Sequence, residues 1–235
     1  MSTVADLKAA VRTAVNNSPV PLRVVRDVRM EAHLAGVRAK RRLAPKSRTA
    51  ERDLRGKRDL QMHFGCGSKI LPGWVNIDGW AVPGVDIVTD LRQPLPLADG
   101  SCRRIFTEHV FEHIETDARS HVLAEFRRLM TSDGVLRIIV PDCGLFVDAY
   151  MRQDLEWFKA VGYDVATPAA GLNGIFREHF HRFIDDWASL TDALRTAGFS
   201  QIEKSTYGGS KCPELRVDTD EPSRYLCSIY VEARP

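Results

Sequence analysis

The chain has 235 residues, of which 44% are hydrophobic and 27% are charged, and its formal net charge is +2. This length allows one ordinary domain with a sizeable core plus an extension, and the composition is typical of a soluble globular protein. Because the sequence has neither a run of 18 apolar residues nor an N-terminal basic-then-apolar pattern, it predicts no membrane span and no signal peptide, and we expect a cytoplasmic protein.

The cysteines are scattered and odd in number. They are Cys66, Cys102, Cys143, Cys212 and Cys227, and none forms a Cys-x-x-Cys pair. Reduced thiols are therefore expected, and the pattern suggests neither a zinc site nor a disulfide framework.

The positive charge is concentrated at the N-terminus. Residues 1–59 hold fifteen Lys/Arg against six Asp/Glu, a balance of +9, whereas the remainder holds eighteen against twenty-five, a balance of −7. Apolar residues recur at helical spacing in two stretches, about 4–15 and about 24–44. We predict that residues 1–58 form a basic helical arm. The arm either packs on the core or a second subunit with its basic face in solvent, which we favour, or anchors to nucleic acid or anionic lipid.

From residue 60 onward, short apolar runs alternate with helical stretches, which is the α/β pattern. Strands are predicted near 60–64, 74–77, 85–89, 104–107 and 135–140, helices at about 117–130 and 186–197, and two late strands near 201–207 and 225–232. The first helix should turn Val122, Phe126 and Leu129 toward the core.

The segment of residues 143–181 is too long for a simple connection and is predicted to be a lid. Its aromatic residues either close over a substrate or, for the majority, pack the lid onto the body. They are Phe146, Tyr150, Trp157, Phe158, Tyr163 and Phe176.

A Gly-x-Gly turn follows the first predicted strand. Gly65 and Gly67 supply backbone freedom and leave no side chain between the main chain and a ligand. The second predicted strand ends in Asp78, whose carboxylate can accept hydrogen bonds from both hydroxyls of a ribose.

Four ordered motifs resemble those of class I S-adenosylmethionine (AdoMet) methyltransferases, and most closely the methyltransferase-11 type. They are Phe64-Gly65-Cys66-Gly67, Gly73-Trp74-Val75-Asn76-Ile77-Asp78, Asp90-Leu91-Arg92-Gln93-Pro94-Leu95-Pro96 and Glu108-His109-Val110-Phe111-Glu112-His113-Ile114. The resemblance implies a Rossmann-like methyltransferase sheet with an antiparallel last strand over residues 59–235, preceded by the arm and interrupted by the lid after the fifth strand.

The resemblance also implies which residues bind AdoMet. The Phe64–Gly67 turn, with Gly65, Cys66 and Gly67, would contact the methionine and ribose parts, and Asp78 the ribose hydroxyls. Asp90 and Leu91 would contact the adenine edge, although Asp90 could instead cap the turn before Pro94. Glu108 and His109 would lie near the sulfonium. The pair Glu112-His113 is expected to have a structural role, and His63 to be a core histidine.

Methyl transfer requires an aligned acceptor, exclusion of water and, for an alcohol, removal of a proton. His109, Asp142, His179 and His181 are predicted to converge over the methyl group, with one of the histidines as the general base. Because the sequence has no Asn-Pro-Pro-Tyr or Asp-Pro-Pro-Tyr motif, methylation of nucleic-acid amines is disfavoured.

We therefore predict O-methylation of a small polar acceptor, with a sugar or oligosaccharide first, because the resemblance extends to enzymes of glycan and cell-envelope biosynthesis. Mg²⁺ could assist ionisation of the hydroxyl, and a homodimer is expected. RNA or other N-methylation and a noncatalytic AdoMet-binding module remain alternatives. A nicotinamide-dependent oxidoreductase is less favoured, because the third glycine is missing and Asp78 follows Gly67 by eleven residues instead of about 20.

Overall fold

The structure is a computed structural model and describes residues 21–43, 53, 54 and 56–235. The chain divides into two compact units, residues 1–44 and 45–235. Helix α1, Leu22–Leu43, belongs to the first unit and has Lys40, Arg41 and Arg42 in its last turn, where positive charge complements the helix dipole. The helix expected at residues 4–15 lies outside the described residues, and the arm of residues 1–58 stays a prediction.

The second unit is built on one mixed β-sheet, which has seven strands in the described part of the chain. The strands are β1 (Leu60–Phe64), β2 (Val75–Asp78), β3 (Ile87–Val88), β4 (Cys102–Glu108), β5 (Met130–Pro141), β6 (Gln201–Ser205) and β7 (Ser228–Arg234). Their order is β3-β2-β1-β4-β5-β7-β6. Strands β1 to β5 are parallel, and β7 is antiparallel to both β5 and β6, which confirms the predicted Rossmann-like sheet with its antiparallel last strand.

The strand order indicates where a ligand is expected to bind. Strand β1 pairs with β2 on one side and with β4 on the other, so the order reverses at β1. In open α/β sheets, ligands bind in the crevice at the carboxyl ends of the strands beside this reversal. The turn after β1 and the loop after β4 therefore meet at the expected binding position.

Helices lie between the strands and in the lid segment of residues 143–181. They are α2 (Thr116–Leu129), α3 (Cys143–Met151), α4 (Leu155–Ala160), α5 (Pro168–Arg177), α6 (Trp187–Thr196) and α7 (Pro222–Tyr225), with 3₁₀ turns at Phe111–His113 and Pro213–Leu215. Helix α2 buries Val122, Phe126 and Leu129, as its sequence pattern predicts. Strand β5 begins at Met130, five residues before its predicted start. The predicted start is late because the polar residues that precede Val135 lack the apolar pattern of a strand.

The lid segment has an apolar cluster of its own. Phe146, Phe158, Tyr163 and Ile175 are buried together, and Phe146 meets the Trp157 ring edge-on at 5.0 Å between centroids. Most of the lid aromatics therefore pack the lid itself, whereas Phe176 is exposed.

A buried ion-pair network joins β5, β7 and the loop after β6. The side chain of Arg137 is fully buried and lies 2.8 Å from Asp218 Oδ1 through Nε and 3.1 Å from Glu232 Oε1 through Nη1. It also donates to Ser205 Oγ and to the Thr206 carbonyl. With a further hydrogen bond from Nη2 to Asp218 Oδ2, all five N–H groups of the guanidinium are used, which is the condition under which burying an arginine is tolerated.

His63 is expected to make stability depend on pH. Burial, reinforced by Lys69, lowers the pKa of this histidine from 6.5 to about 4. Between these two pH values the unfolded chain therefore binds one more proton than the folded chain. The contribution of His63 to stability is fully present above about pH 6.5 and is lost as the pH drops toward 4. We expect His63 to account for a loss of roughly 2 kcal/mol between about pH 7 and pH 5.

Urea unfolding of wild type and His63→Leu at both pH values measures this contribution, because the other titrating groups cancel in the comparison. An unchanged pH dependence in the variant would show that His63 does not cause it.

Candidate functional site

The two glycines of the turn after β1 serve different purposes. Both have positive φ, +71° at Gly65 and +53° at Gly67. A Cβ at Gly65 would lie 2.3 Å from Val110 Cγ2, whereas a Cβ at Gly67 would have no neighbour within 4 Å. Gly65 therefore permits close packing of the turn on the loop after β4, and Gly67 leaves an open surface on which a ligand can lie.

Asp78 is held against this turn at the end of β2. Its Oδ2 accepts a hydrogen bond from Gly67 N at 2.8 Å, and its Oδ1 accepts one from Trp80 N at 2.8 Å. The carboxylate is buried, and each oxygen keeps a further lone pair for a ligand hydroxyl. Trp80 is 51% exposed beside it, an apolar ring that the sequence analysis did not single out.

Cys66 lies in the same turn and is buried. Burial raises the pKa of its thiol to about 11, so the group is uncharged at neutral pH. A neutral thiol is a poor nucleophile, which leaves Cys66 as a lining residue of the turn.

Asp90 is engaged by its neighbour. Its Oδ1 lies 2.9 Å from Arg92 Nε and its Oδ2 lies 3.0 Å from Arg92 Nη2. The same Oδ1 accepts a hydrogen bond from Arg92 N at 3.1 Å, so Asp90 also caps the turn. Leu91 and Phe64 line a cleft of about 490 Å³ next to this turn.

Glu108, at the end of β4, bridges two segments. Its Oε2 lies 3.2 Å from Lys69 Nζ, and its Oε1 accepts a hydrogen bond from Thr219 N at 3.0 Å. Lys69 Nζ also donates to Thr219 Oγ1 at 2.8 Å and to the Val217 carbonyl. The carboxylate thus fastens the loop of residues 217–219 to the turn after β1, and the sequence analysis missed Lys69 and Thr219.

A cavity of about 500 Å³ lies between the loop after β4 and the lid segment. His109, His179 and His181, which the sequence predicted to converge, all line it together with His113 and Glu112. Asp142 is not among the lining residues. Its Oδ1 accepts a hydrogen bond from Gly144 N at 2.9 Å and caps helix α3, so the structure gives Asp142 an N-cap role, and its convergence on this group stays a prediction.

Both ring nitrogens of His109 face protein atoms. Nε2 lies 2.8 Å from Ser228 Oγ, and Nδ1 lies 3.3 Å from Glu112 Oε1. Burial lowers the pKa of His109 to about 3, with a smaller effect from Arg224. His109 is therefore neutral at physiological pH and is a weak base.

His179 and His181 follow helix α5. His179 is exposed, and its ring centroid lies 6.2 Å from that of Tyr163 and 5.8 Å from that of His181. His181 is buried and its Nδ1 hydrogen bonds to the Ile175 carbonyl, so its Nε2 carries the lone pair. Burial also lowers the pKa of His181.

Glu112 is a fully buried carboxylate in the cavity wall. Neither of its oxygens has a hydrogen-bond partner among the described residues. The nearest nitrogens are His109 Nδ1 at 3.3 Å and His113 Nε2 at 3.9 Å from Oε1. Burial raises the pKa of Glu112 to about 8 and lowers that of His113 to about 4.

Within the described residues, no helix is both long enough and apolar enough to cross a bilayer.

Residues 62–138 match the family model of a methyltransferase domain, and the matched range contains the turn, Asp78 and the loop after β4. A search of curated protein sequences finds no match.

Solved structures with a similar fold include several methyltransferases. One is an S-adenosylmethionine-dependent methyltransferase from Archaeoglobus fulgidus, with 13% identity, 83% of this chain and 97% of that chain covered, and a TM-score of 0.49. Another is 1,6-didemethyltoxoflavin-N1-methyltransferase from Burkholderia thailandensis, with bound 1,6-didemethyltoxoflavin and S-adenosylhomocysteine (13% identity, 93% and 92% covered, TM-score 0.45). A third is the S-adenosylmethionine-dependent methyltransferase from Mesorhizobium loti (15% identity, 80% and 96% covered, TM-score 0.44).

Proposed function

We propose that this chain, whose residues 62–138 match a methyltransferase domain, is a class I AdoMet-dependent methyltransferase that methylates a hydroxyl group of a small polar acceptor bound in the histidine-lined cavity. The observation that carries this proposal is the cavity itself, about 500 Å³ in volume and bounded by the loop after β4. Val110 of that loop packs on Gly65, so the cavity adjoins the turn expected to hold the methyl donor. A neutral imidazole beside a reactive methyl group can accept the proton of an acceptor hydroxyl.

The AdoMet site is proposed at the Phe64–Gly67 turn and Asp78, with Leu91 and Asp90 at the adenine end. Support comes from the open surface at Gly67 and from the Asp78 carboxylate, which is already oriented by two backbone N–H groups. Glu108, held by Lys69 and Thr219, would shape the site near the sulfonium without needing to contact the ligand.

Substituting Asp78 with alanine is expected to weaken AdoMet binding at least about tenfold, since a charged hydrogen-bond partner of the ribose is lost. Titration calorimetry with AdoMet measures this, with Asp117→Ala, an exposed carboxylate on α2, as the matched control. Equal affinities for wild type and Asp78→Ala would remove Asp78 from the site.

The general base is proposed to be His179. It is exposed and lines the cavity, and its ring centroid lies 6.2 Å from that of Tyr163 and 5.8 Å from that of His181. His109 is less suited because Ser228 and Glu112 face both of its nitrogens, and His181 because Ile175 holds its Nδ1.

We expect His179→Gln to lower kcat at least about a hundredfold while AdoMet affinity and melting temperature stay close to wild type. The control is Asp192→Asn, an exposed carboxylate on α6 that lies outside the linings of both the cavity and the cleft beside Leu91. Near wild-type turnover of His179→Gln would exclude it as the base.

A sugar or oligosaccharide is the acceptor class we favour. The cavity combines the exposed aromatic ring of Phe180 with polar groups from Glu221, Ser223 and Arg224. Flat apolar rings and orienting polar groups together are what a polyhydroxylated ligand requires.

Transfer from labelled AdoMet to a panel of sugars, phenols, small acids and tRNA tests the acceptor. We expect alkali-stable label on a hydroxyl-bearing sugar. Label on tRNA or on an amine would favour the alternative of N-methylation, and AdoMet binding without transfer to any acceptor would favour a noncatalytic binding module.

A further inference from the structure

Three side chains with metal-binding atoms meet in the wall of the cavity. Glu112, His113 and His181 each offer one ligand atom, and these atoms all lie within 4.8 Å of one another. Glu112 and His113 come from the 3₁₀ turn after β4, and His181 comes from the segment after α5. Two separate parts of the chain therefore supply one compact group of ligands.

The carboxylate of Glu112 is a second, independent observation. It is fully buried, and neither oxygen has a hydrogen-bond partner among the described residues. A buried carboxyl group whose two oxygens lack partners is unfavourable unless a cation or donors compensate it. A bound cation would supply that compensation at the point where the carboxylate faces two imidazoles.

His181 is oriented as metal-binding histidines usually are. Its Nδ1–H donates to the Ile175 carbonyl, which fixes the tautomer and leaves the Nε2 lone pair available. A hydrogen bond of this kind from the second ring nitrogen holds the imidazole of a metal ligand in place. His113 turns Nε2 toward the same carboxylate, 3.9 Å from Glu112 Oε1.

We propose that Glu112, His113 and His181 bind one divalent transition-metal ion of the Zn²⁺ class. Two imidazoles and one carboxylate form a ligand set that Zn²⁺ adopts when it keeps an open position for water or substrate. Mg²⁺, which the sequence analysis considered, prefers oxygen ligands throughout and suits this group poorly.

The role of the ion rests on the proposed function. The acceptor's hydroxyl oxygen takes the open position, where the ion's charge makes its proton more acidic. His179 accepts that proton, the oxygen forms a bond to the methyl carbon, and the carbon–sulfur bond breaks with its electron pair going to sulfur. The products are the methyl ether and S-adenosylhomocysteine, and the proton passes from His179 to solvent.

Metal binding is tested on the full chain after treatment with a chelator and dialysis, without AdoMet or acceptor. Calorimetric titration with Zn²⁺ is expected to give one ion per chain, and Co²⁺ is expected to give the visible absorption of a site with nitrogen and oxygen ligands. Glu112→Gln, His113→Gln and His181→Gln should each weaken Zn²⁺ binding at least about tenfold, whereas His121→Gln should bind as wild type.

Three separate variants are used so that the test does not depend on the correct folding of any one of them. The His113 side chain is 36% exposed, so its substitution should be tolerated even if that of the buried Glu112 is not. Absence of Zn²⁺ binding by wild type, or wild-type affinity in all three variants, would overturn the site.

Separate measurements distinguish failure of this site from failure of the proposed function. AdoMet affinity is expected to be unchanged by the chelator, whereas methyl transfer to the acceptor should fall at least about a hundredfold and return with Zn²⁺. Zn²⁺ binding without AdoMet binding would contradict the proposed function and leave the metal site standing. Transfer that is indifferent to the chelator would overturn the assigned role of the ion.

Discussion

Replacing Arg137 with methionine is expected to lower the free energy of unfolding by about 3–5 kcal/mol, the range found when one partner of a buried ion pair is removed. Methionine replaces much of the hydrocarbon volume but none of the donors. Asp218, which loses its bond to Nε at 2.8 Å, and Glu232, which loses its bond to Nη1 at 3.1 Å, would be left as buried carboxylates without their cation. Urea unfolding followed by circular dichroism measures the change.

The matched control for Arg137 is an ion pair on the surface. Lys211 Nζ lies 2.6 Å from Glu203 Oε2, but the two side chains are 73% and 57% exposed. Lys211→Met should therefore cost no more than about 1 kcal/mol. Similar losses for the two variants would mean that the buried network contributes no more than a surface pair.

Gly65→Ala is expected to destabilise the protein by about 2–4 kcal/mol, by combining backbone strain with overpacking. The backbone has a φ of +71°, which side-chain-bearing residues rarely adopt, and the added Cβ would lie 2.3 Å from Val110 Cγ2 and 2.7 Å from Cγ1. Thermal and urea unfolding measure the loss. The double variant Gly65→Ala/Val110→Ala should recover the part that comes from the clash.

Gly67→Ala separates the packing role of the turn from ligand binding. Its φ is +53° but no atom lies within 4 Å of the added Cβ, so the stability cost should be only about 1 kcal/mol. AdoMet affinity should nevertheless fall at least about tenfold if the ligand occupies that space. Equal destabilisation by the two alanines, or unchanged AdoMet binding by Gly67→Ala, would contradict this division of roles.

Much of the sheet could be predicted because the sequence pattern of each strand or helix lies within that element. Strand β1, Leu60–Phe64, and helix α2, Thr116–Leu129, show apolar patterns of clear period and lie within a residue or two of their predicted ranges. The turn with Gly65 and Gly67 and the carboxylate of Asp78 are also close in sequence, and the structure joins Asp78 to Gly67 by a hydrogen bond.

The rest of the site depends on contacts between distant segments. Glu112-His113 was expected to be structural because sequence alone does not show that His181 returns to the same wall. The contact of Lys69 with Thr219 spans 150 residues and has no local signal. For Asp142 a signal did exist: an aspartate just before a helix start is a typical N-cap, and the structure shows it in that role.

The two edges of the sheet limit how copies of this chain can associate. One edge is β3, which has two residues, and the other is β6, on which Glu203 and Lys204 are exposed. Short strands and outward charges deny an incoming strand a continuous row of backbone partners, which is how natural sheets avoid edge-to-edge aggregation. We therefore expect the homodimer predicted from the sequence to form through helices or loops. In a partly unfolded chain, these two strands should be poor templates for amyloid-like growth.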